Sequence, residues 1–213
     1  MKIAQLLTKY DITKEYELAE KASSDMMNKP EGSGFWYEAN SFQVFCAARI
    51  YKSLADKSNV YLSMAPGQGK TFVIHIVVQM LRNDDPDANI IVTTHSDNLL
   101  KQLDSAGKQF GNVVNYWDLD LLKNASEDAI IVCDEWYHSI RTSKVQVSDK
   151  GEILGAHGIA NFGKQRILLG GSYEPQLGQV GEKLLGDCAY LHEEKSIDHL
   201  LGRGSQLDVV VDC

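Results

Sequence analysis

Several things are scarce in this sequence, and each scarcity closes a route. The four cysteines, at 46, 133, 188 and 213, stand far apart with no Cys-x-x-Cys pair. That spacing suggests neither a zinc cage nor a disulfide framework, and a reducing, cytoplasmic compartment is expected. Basic residues are outnumbered, 21 Lys+Arg against 29 Asp+Glu, for a formal net charge of -8. With no dense Lys/Arg cluster, attachment to nucleic acid through the chain's overall field is not favoured. No apolar run approaches the ~20 residues that span a bilayer. The start "MKIAQLLTKYDITKEYELAEK" carries charges every few residues, which excludes a signal-peptide core. No internal repeat and no low-complexity tract interrupts the chain.

What is present suffices for a folded core. Hydrophobic residues make up 44% of 213 positions, which fits one domain with an appended segment. The appended part is residues 1–34, where Ile3, Leu6, Leu7, Tyr10, Tyr16, Leu18, Ala19 and Ala22 recur at helical spacing before the breaker cluster "NKPEGSG". Residues 35–213 form the main domain. There, helical patterns ("SFQVFCAARIYKSLAD", "KTFVIHIVVQMLRN", "SDNLLKQLDSAGKQF") alternate with short apolar runs ("NVYLSM", "NIIVTT", "NVVNY", "AIIVCDE", "QRILLGG", "LDVVVD"). Strands without polar alternation, separated by helices, predict a mostly parallel sheet covered on both faces: a three-layer α/β fold.

In such a sheet, ligands sit at the carboxyl ends of strands, where a loop enters a helix. "MAPGQGKT", residues 64–71, falls at that place. Gly67 and Gly69 allow a tight turn that points N–H groups inward at phosphate oxygens, and the following helix adds its positive end. Lys70 is expected to reach the β- and γ-phosphates and the Thr71 hydroxyl to hold Mg2+. The nucleotide-binding loop is therefore Pro66, Gly67, Gln68, Gly69, Lys70 and Thr71, a P-loop in which Met64 stands where the strict form has glycine. Holding Mg2+ and orienting an attacking water needs an acidic element on a neighbouring strand. "AIIVCDEW" supplies it, with Asp134 as Mg2+ ligand and Glu135 as the residue that polarises the water. Cys133, beside them, has no base marked for it and is expected to be a buried small residue. His75 and His95 read as core or capping histidines, because neither has a second ligand four residues on.

The order of these pieces over residues 38–175 resembles the first RecA-like domain of superfamily 2 DExD/H-box ATPases, the helicases and translocases that also include the SecA preprotein motor. Gln43 in "SFQVFCAARI" resembles the glutamine that reads adenine in that family. "MAPGQGKT" is similar to motif I, with the methionine particularly like that of SecA, "NIIVTTHSDNLLKQLD" to motif Ia and "IIVCDEWYHSI" to motif II. "ILLGGSYEP" is similar to motif III, with Ser172 as the residue that links hydrolysis to movement. Tyr137 stands where motif II has the residue that bonds to motif III, and His138 is the candidate to make that contact instead. Tyr173 and Glu174 occupy motif III positions where small and hydroxyl residues are expected.

The resemblance implies an ATP-binding, Mg2+-dependent ATPase lobe of a helicase- or translocase-like motor, with nucleic acid or polypeptide as its substrate. In this family ATP lies between two RecA-like lobes, and the second supplies arginines worth on the order of 1,000-fold or more in rate. The stretch after Pro175 is too short for such a lobe, so a single lobe is expected here, with its partner supplied in cis on a longer chain or in trans. Two alternatives stand beside this expectation: a SecA-like polypeptide-translocating lobe, and a nucleotide-binding or degenerate interaction module without useful hydrolysis.

Overall fold

The computed structural model describes residues 3–27, 38–56, 59–64, 68–94, 112–115, 127–134, 163–170 and 188–191. Within them lie four helices, α1 (Ile3–Tyr10), α2 (Thr13–Met27), α3 (Ser41–Ala55) and α4 (Lys70–Asp84). The strands are β1 (Asn59–Ser63), β2 (Ile90–Thr94), β3 (Asn112–Asn115), β4 (Ile130–Cys133), β5 (Gln165–Gly170) and β6 (Cys188–Leu191).

The six strands form one sheet in the order β3-β2-β4-β5-β1-β6. Every pairing is parallel. Register sorts the side chains by face. Val60, Val92, Val132 and Ile167 lie in line across the sheet and join the core cluster beneath the helices. Alternate residues point to the other face, and Tyr61, Ile91, Ile131, Cys133 and Leu168 are buried there as well. Both faces are thus removed from water, which is why these strands read as unbroken apolar runs. This is the three-layer α/β architecture expected from the alternation of runs. β6 was not anticipated: "CAYL" is four residues long, contains alanine, and is followed by "HEEK", so it lacks the β-branched signature of the other strands.

The amino-terminal helices are part of the same core. Leu6, Leu7, Ile12, Tyr16, Ala19, Ala22 and Met26 belong to one buried cluster with residues of α3, α4 and the sheet. Asp11, in the left-handed region at φ 51°, separates α1 from α2. Leu18, which fits the helical count, faces outward. The Tyr10 ring holds α1 to α3 by stacking edge-on against Phe45, centroids 5.8 Å apart, with the Arg49 guanidinium 4.1 Å from its centroid.

α3 is secured along its length. At its last turn the Gln165 side-chain amide donates to the Leu54 carbonyl at 2.7 Å, tying the helix to β5. The Tyr51 hydroxyl donates to the Asp84 carboxylate, tying it to the end of α4. Its first turn reaches the loop that follows β1.

Candidate nucleotide site

β1 ends with a strand-like contact one residue past its last position: the Met64 N–H donates to the Gly170 carbonyl at 3.0 Å. Met64 is 1% exposed. The position that carries glycine in the strict loop is therefore a buried extension of the strand, where a large apolar side chain contributes to the core. The sharp turn comes later, at Gly69. That residue caps the start of α4 with φ 87° and ψ 34°, and no side chain caps this helix. Its left-handed backbone favours glycine, and a β-carbon there would stand 2.3 Å from Gln43 Nε2 and displace that amide.

Lys70 opens α4 and is buried, with Nζ donating to the Met64 carbonyl at 3.2 Å. The side chain thus turns back over the loop between β1 and α4 and does not extend into solvent. A buried ammonium at an uncapped helix amino-terminus, inside a loop whose turn is a left-handed glycine, has the geometry for binding phosphate. Thr71 follows in the first turn of α4, half-buried.

Gln43 sits in the first turn of α3, 6% exposed, and both ends of its amide are engaged. Its Oε1 accepts from the Asn40 N–H at 3.1 Å, and its Nε2 donates to the Gln68 carbonyl at 3.0 Å. The Asn40 side chain in turn accepts from the N–H groups of Phe42 and Gln43. Asn40 and Gln43 form a capping box. Asn40 did not stand out in the sequence, although the signal was there: "NSFQ" is a cap residue followed three places later by glutamine.

Asp134 follows β4 directly and is 9% exposed. Its N–H donates to the Thr93 carbonyl at 2.8 Å, which prolongs the β2–β4 pairing and fixes its backbone. The acidic strand was expected to neighbour β1, and it does not, because β5 pairs with both and lies between them. With strands ~4.8 Å apart, the ends of β1 and β4 are separated by ~10 Å. Buried cation, uncapped helix start and buried carboxylate at the same edge of the sheet fit a Mg2+–nucleotide complex by their donor chemistry.

Gln43, Gln68, Gly69, Lys70, Thr71 and Asp134 are thus the predicted site residues that the described structure contains. Pro66, Gly67, Glu135, His138 and Ser172 lie outside the described residues, as do His95 and the helix expected at 96–110.

Cys133 is fully buried, and burial pushes its thiol up to about 12, in keeping with a packing residue. His75 is likewise buried on α4. No group of three or more His, Cys, Asp or Glu that could hold a metal occurs among the described residues. A half-open cavity of about 270 Å3 lies between α2 and the start of α3, lined by Tyr16, Glu20, Ser23, Glu38 and Ser41 among others. Its lining includes none of residues 64–71. Among the described residues no helix is long and apolar enough to cross a membrane.

Comparison with known proteins bears on the fold. The family model "Type III restriction enzyme, res subunit" matches residues 36–128, a stretch that contains Gln43 and the loop and stops short of Asp134. No curated protein matches the chain. Among solved structures, the Sulfolobus solfataricus SWI2/SNF2 ATPase core in complex with dsDNA is similar, with a TM-score of 0.51 at 14% identity, over 68% of this chain and 34% of that one. The chain therefore shares its fold with part of that ATPase core, and the match spans about a third of the length of that structure.

Proposed function

We propose that this chain is the ATP-binding lobe of a helicase- or translocase-type motor, hydrolysing ATP with Mg2+ when a second lobe completes the site. The observation that carries this reading is the placement of Lys70: buried, at the uncapped start of α4, across one intervening strand from buried Asp134. In this reading Pro66, Gly67, Gln68 and Gly69 shape the loop around the phosphates, and Lys70 leaves the Met64 carbonyl to hold the β- and γ-phosphates. Thr71 and Asp134 would hold the metal, which would supply charge neutralisation on the transferring phosphate. Glu135 orients the attacking water, Gln43 reads adenine, and Ser172 and His138 transmit the change to the rest of the motor.

Nucleic acid is the favoured substrate. The matched family model is named for a restriction enzyme, and the similar SWI2/SNF2 core is described in complex with dsDNA. Since the chain as a whole is acidic, contact with a polyanion would rest on a local surface.

Titration with ATP and Mg2+ tests the binding. It is expected to saturate with the unsubstituted chain and to weaken strongly in Lys70→Ala; equal affinity in the two would sink the proposal. Turnover, measured with any companion lobe present, is expected to vanish in Glu135→Gln with binding retained. Stimulation by single- or double-stranded DNA or RNA identifies the polymer, and no stimulation by any of them would count against a nucleic-acid motor.

A further inference from the structure

We infer that Thr94 is a positioning residue for the metal: its buried hydroxyl donates to the Asp134 carboxylate when Mg2+ is bound, and so sets which oxygen Asp134 presents to the ion. The inference rests on the nucleotide-site reading above and adds to it a residue that the reading does not use.

Thr94 is the last residue of β2 and is fully buried, and its Oγ1 has no hydrogen-bond partner among the described residues. A buried hydroxyl without a partner lowers stability, and valine would fill nearly the same space without that cost. Threonine at the end of "IIVTT" is thus unfavourable for the nucleotide-free fold, which calls for a reason outside packing. Thr93 differs, because it points to the opposite face of the sheet and meets the Cys133 thiol across the strand pair.

Register decides what Thr94 faces. Thr93 pairs with Cys133, and the Asp134 N–H donates to the Thr93 carbonyl at 2.8 Å, so the parallel pairing continues one step and sets Thr94 beside Asp134. Side chains alternate along each strand, so both residues lie on the face of Val92 and Val132, which share a core cluster with α3 and α4. Neighbouring strands are ~4.8 Å apart, which brings the Thr94 hydroxyl within one side-chain rotation of the Asp134 carboxylate.

A carboxylate that ligates a metal through one oxygen leaves the other to be held, and a donor on that second oxygen fixes the plane of the group. Asp134 is 9% exposed, so a protein hydroxyl on the adjacent strand is better placed than bulk water to supply the donor. A hydrogen bond to a charged carboxylate is stronger than one between neutral groups. The hydroxyl that destabilises the empty chain therefore stabilises the loaded one, and no proton is transferred.

Thr94→Val, Thr94→Ser and Thr93→Val test this together. Binding of a non-hydrolysable ATP analogue is titrated against Mg2+ and repeated in EDTA, and melting is followed without nucleotide. In Thr94→Val the half-saturating Mg2+ concentration is expected to rise about tenfold or more. Analogue affinity in EDTA should stay within about twofold of the parent, and the nucleotide-free chain should melt about 2–4 °C higher. Thr94→Ser, which keeps the hydroxyl, should need less than about threefold more Mg2+ than the parent, and Thr93→Val should match the parent within about twofold.

An unchanged Mg2+ requirement in Thr94→Val overturns the inference, as does an equal rise in Thr93→Val or a serine variant as impaired as the valine one. A Thr94→Val chain that melts lower, or does not fold, overturns it as well, since the hydroxyl would then have a structural partner. Should the parent bind the analogue with no dependence on Mg2+, the metal-site reading and this inference fall together. A parent that depends on Mg2+ while Thr94→Val behaves identically leaves that reading standing and removes the inference alone.

Discussion

The starts of α3 and α4 lie beside one another and are built in opposite ways. α3 begins at Asn40, whose side chain accepts two of the orphan N–H groups of the first turn, while Gln43 reaches back to the cap's own N–H. α4 begins at Gly69 with no side-chain cap at all. A helix start satisfied by its own chain has spent its donors on stability; one without a side-chain cap, held in shape by a left-handed glycine and flanked by a buried lysine, keeps its electrostatic field for a ligand. The two are joined by one hydrogen bond, Gln43 Nε2 to the Gln68 carbonyl, so the stable start supports the functional one.

Substitutions that break this contrast should differ in what they damage, and Gly69→Ala should do the most. Holding alanine in the left-handed region costs ~1–2 kcal/mol, and its β-carbon would displace Gln43 Nε2. Both a lower melting temperature and weaker ATP binding are expected, and calorimetry with nucleotide titration reads both. A variant that matches the parent in each would remove the case for a glycine-dependent turn.

Lys70→Ala should reach the functional start alone. Losing a charge-assisted contact to phosphate costs about 1.5–3 kcal/mol, or roughly tenfold to hundredfold in ATP affinity. The nucleotide-free chain should fold as well as the parent by circular dichroism.

Gln43→Leu cuts the link and leaves the Gln68 carbonyl and the Asn40 N–H without their partner. A loss of about 1–2 kcal/mol is expected in urea unfolding, together with weaker discrimination between ATP and GTP.

Asn40→Ala is the mildest of the four and should reach stability alone. Removing the cap costs about 1 kcal/mol, a melting shift of about 2–4 °C for a chain of this size. ATP affinity should remain within about twofold of the parent; a larger drop would mean that the two helix starts are not separable.

How much of this was legible in the sequence depends on the range over which each feature is decided. The helix over Lys70–Asp84 and the strand over Asn59–Ser63 follow from the runs "KTFVIHIVVQMLRN" and "NVYLS", and the structure has them at those positions. The capping box in "NSFQ" went unread, although a cap and its partner lie only three residues apart. β6 was not legible, since "CAYL" acquires strand character only by pairing with β1. Nor was Leu18 on the outer side of α2 foreseeable, because a stripe of helical spacing does not say where the neighbouring helices end. The burial of Met64, in the position of a loop glycine, also depends on a partner remote in sequence, Gly170.

The sequence by itself determined the α/β class, the loop "MAPGQGKT" between strand and helix, and the acidic end of "AIIVCDE", because each is written in neighbouring residues whose period and chemistry need no distant partner. Tertiary structure alone decided that β5 stands between β1 and β4, that Lys70 turns back onto the Met64 carbonyl, and that Gln43 is bonded to Gln68. These are pairings across the sheet and across a loop. Their geometry is set by which surfaces bury one another, a choice that no local window of residues contains.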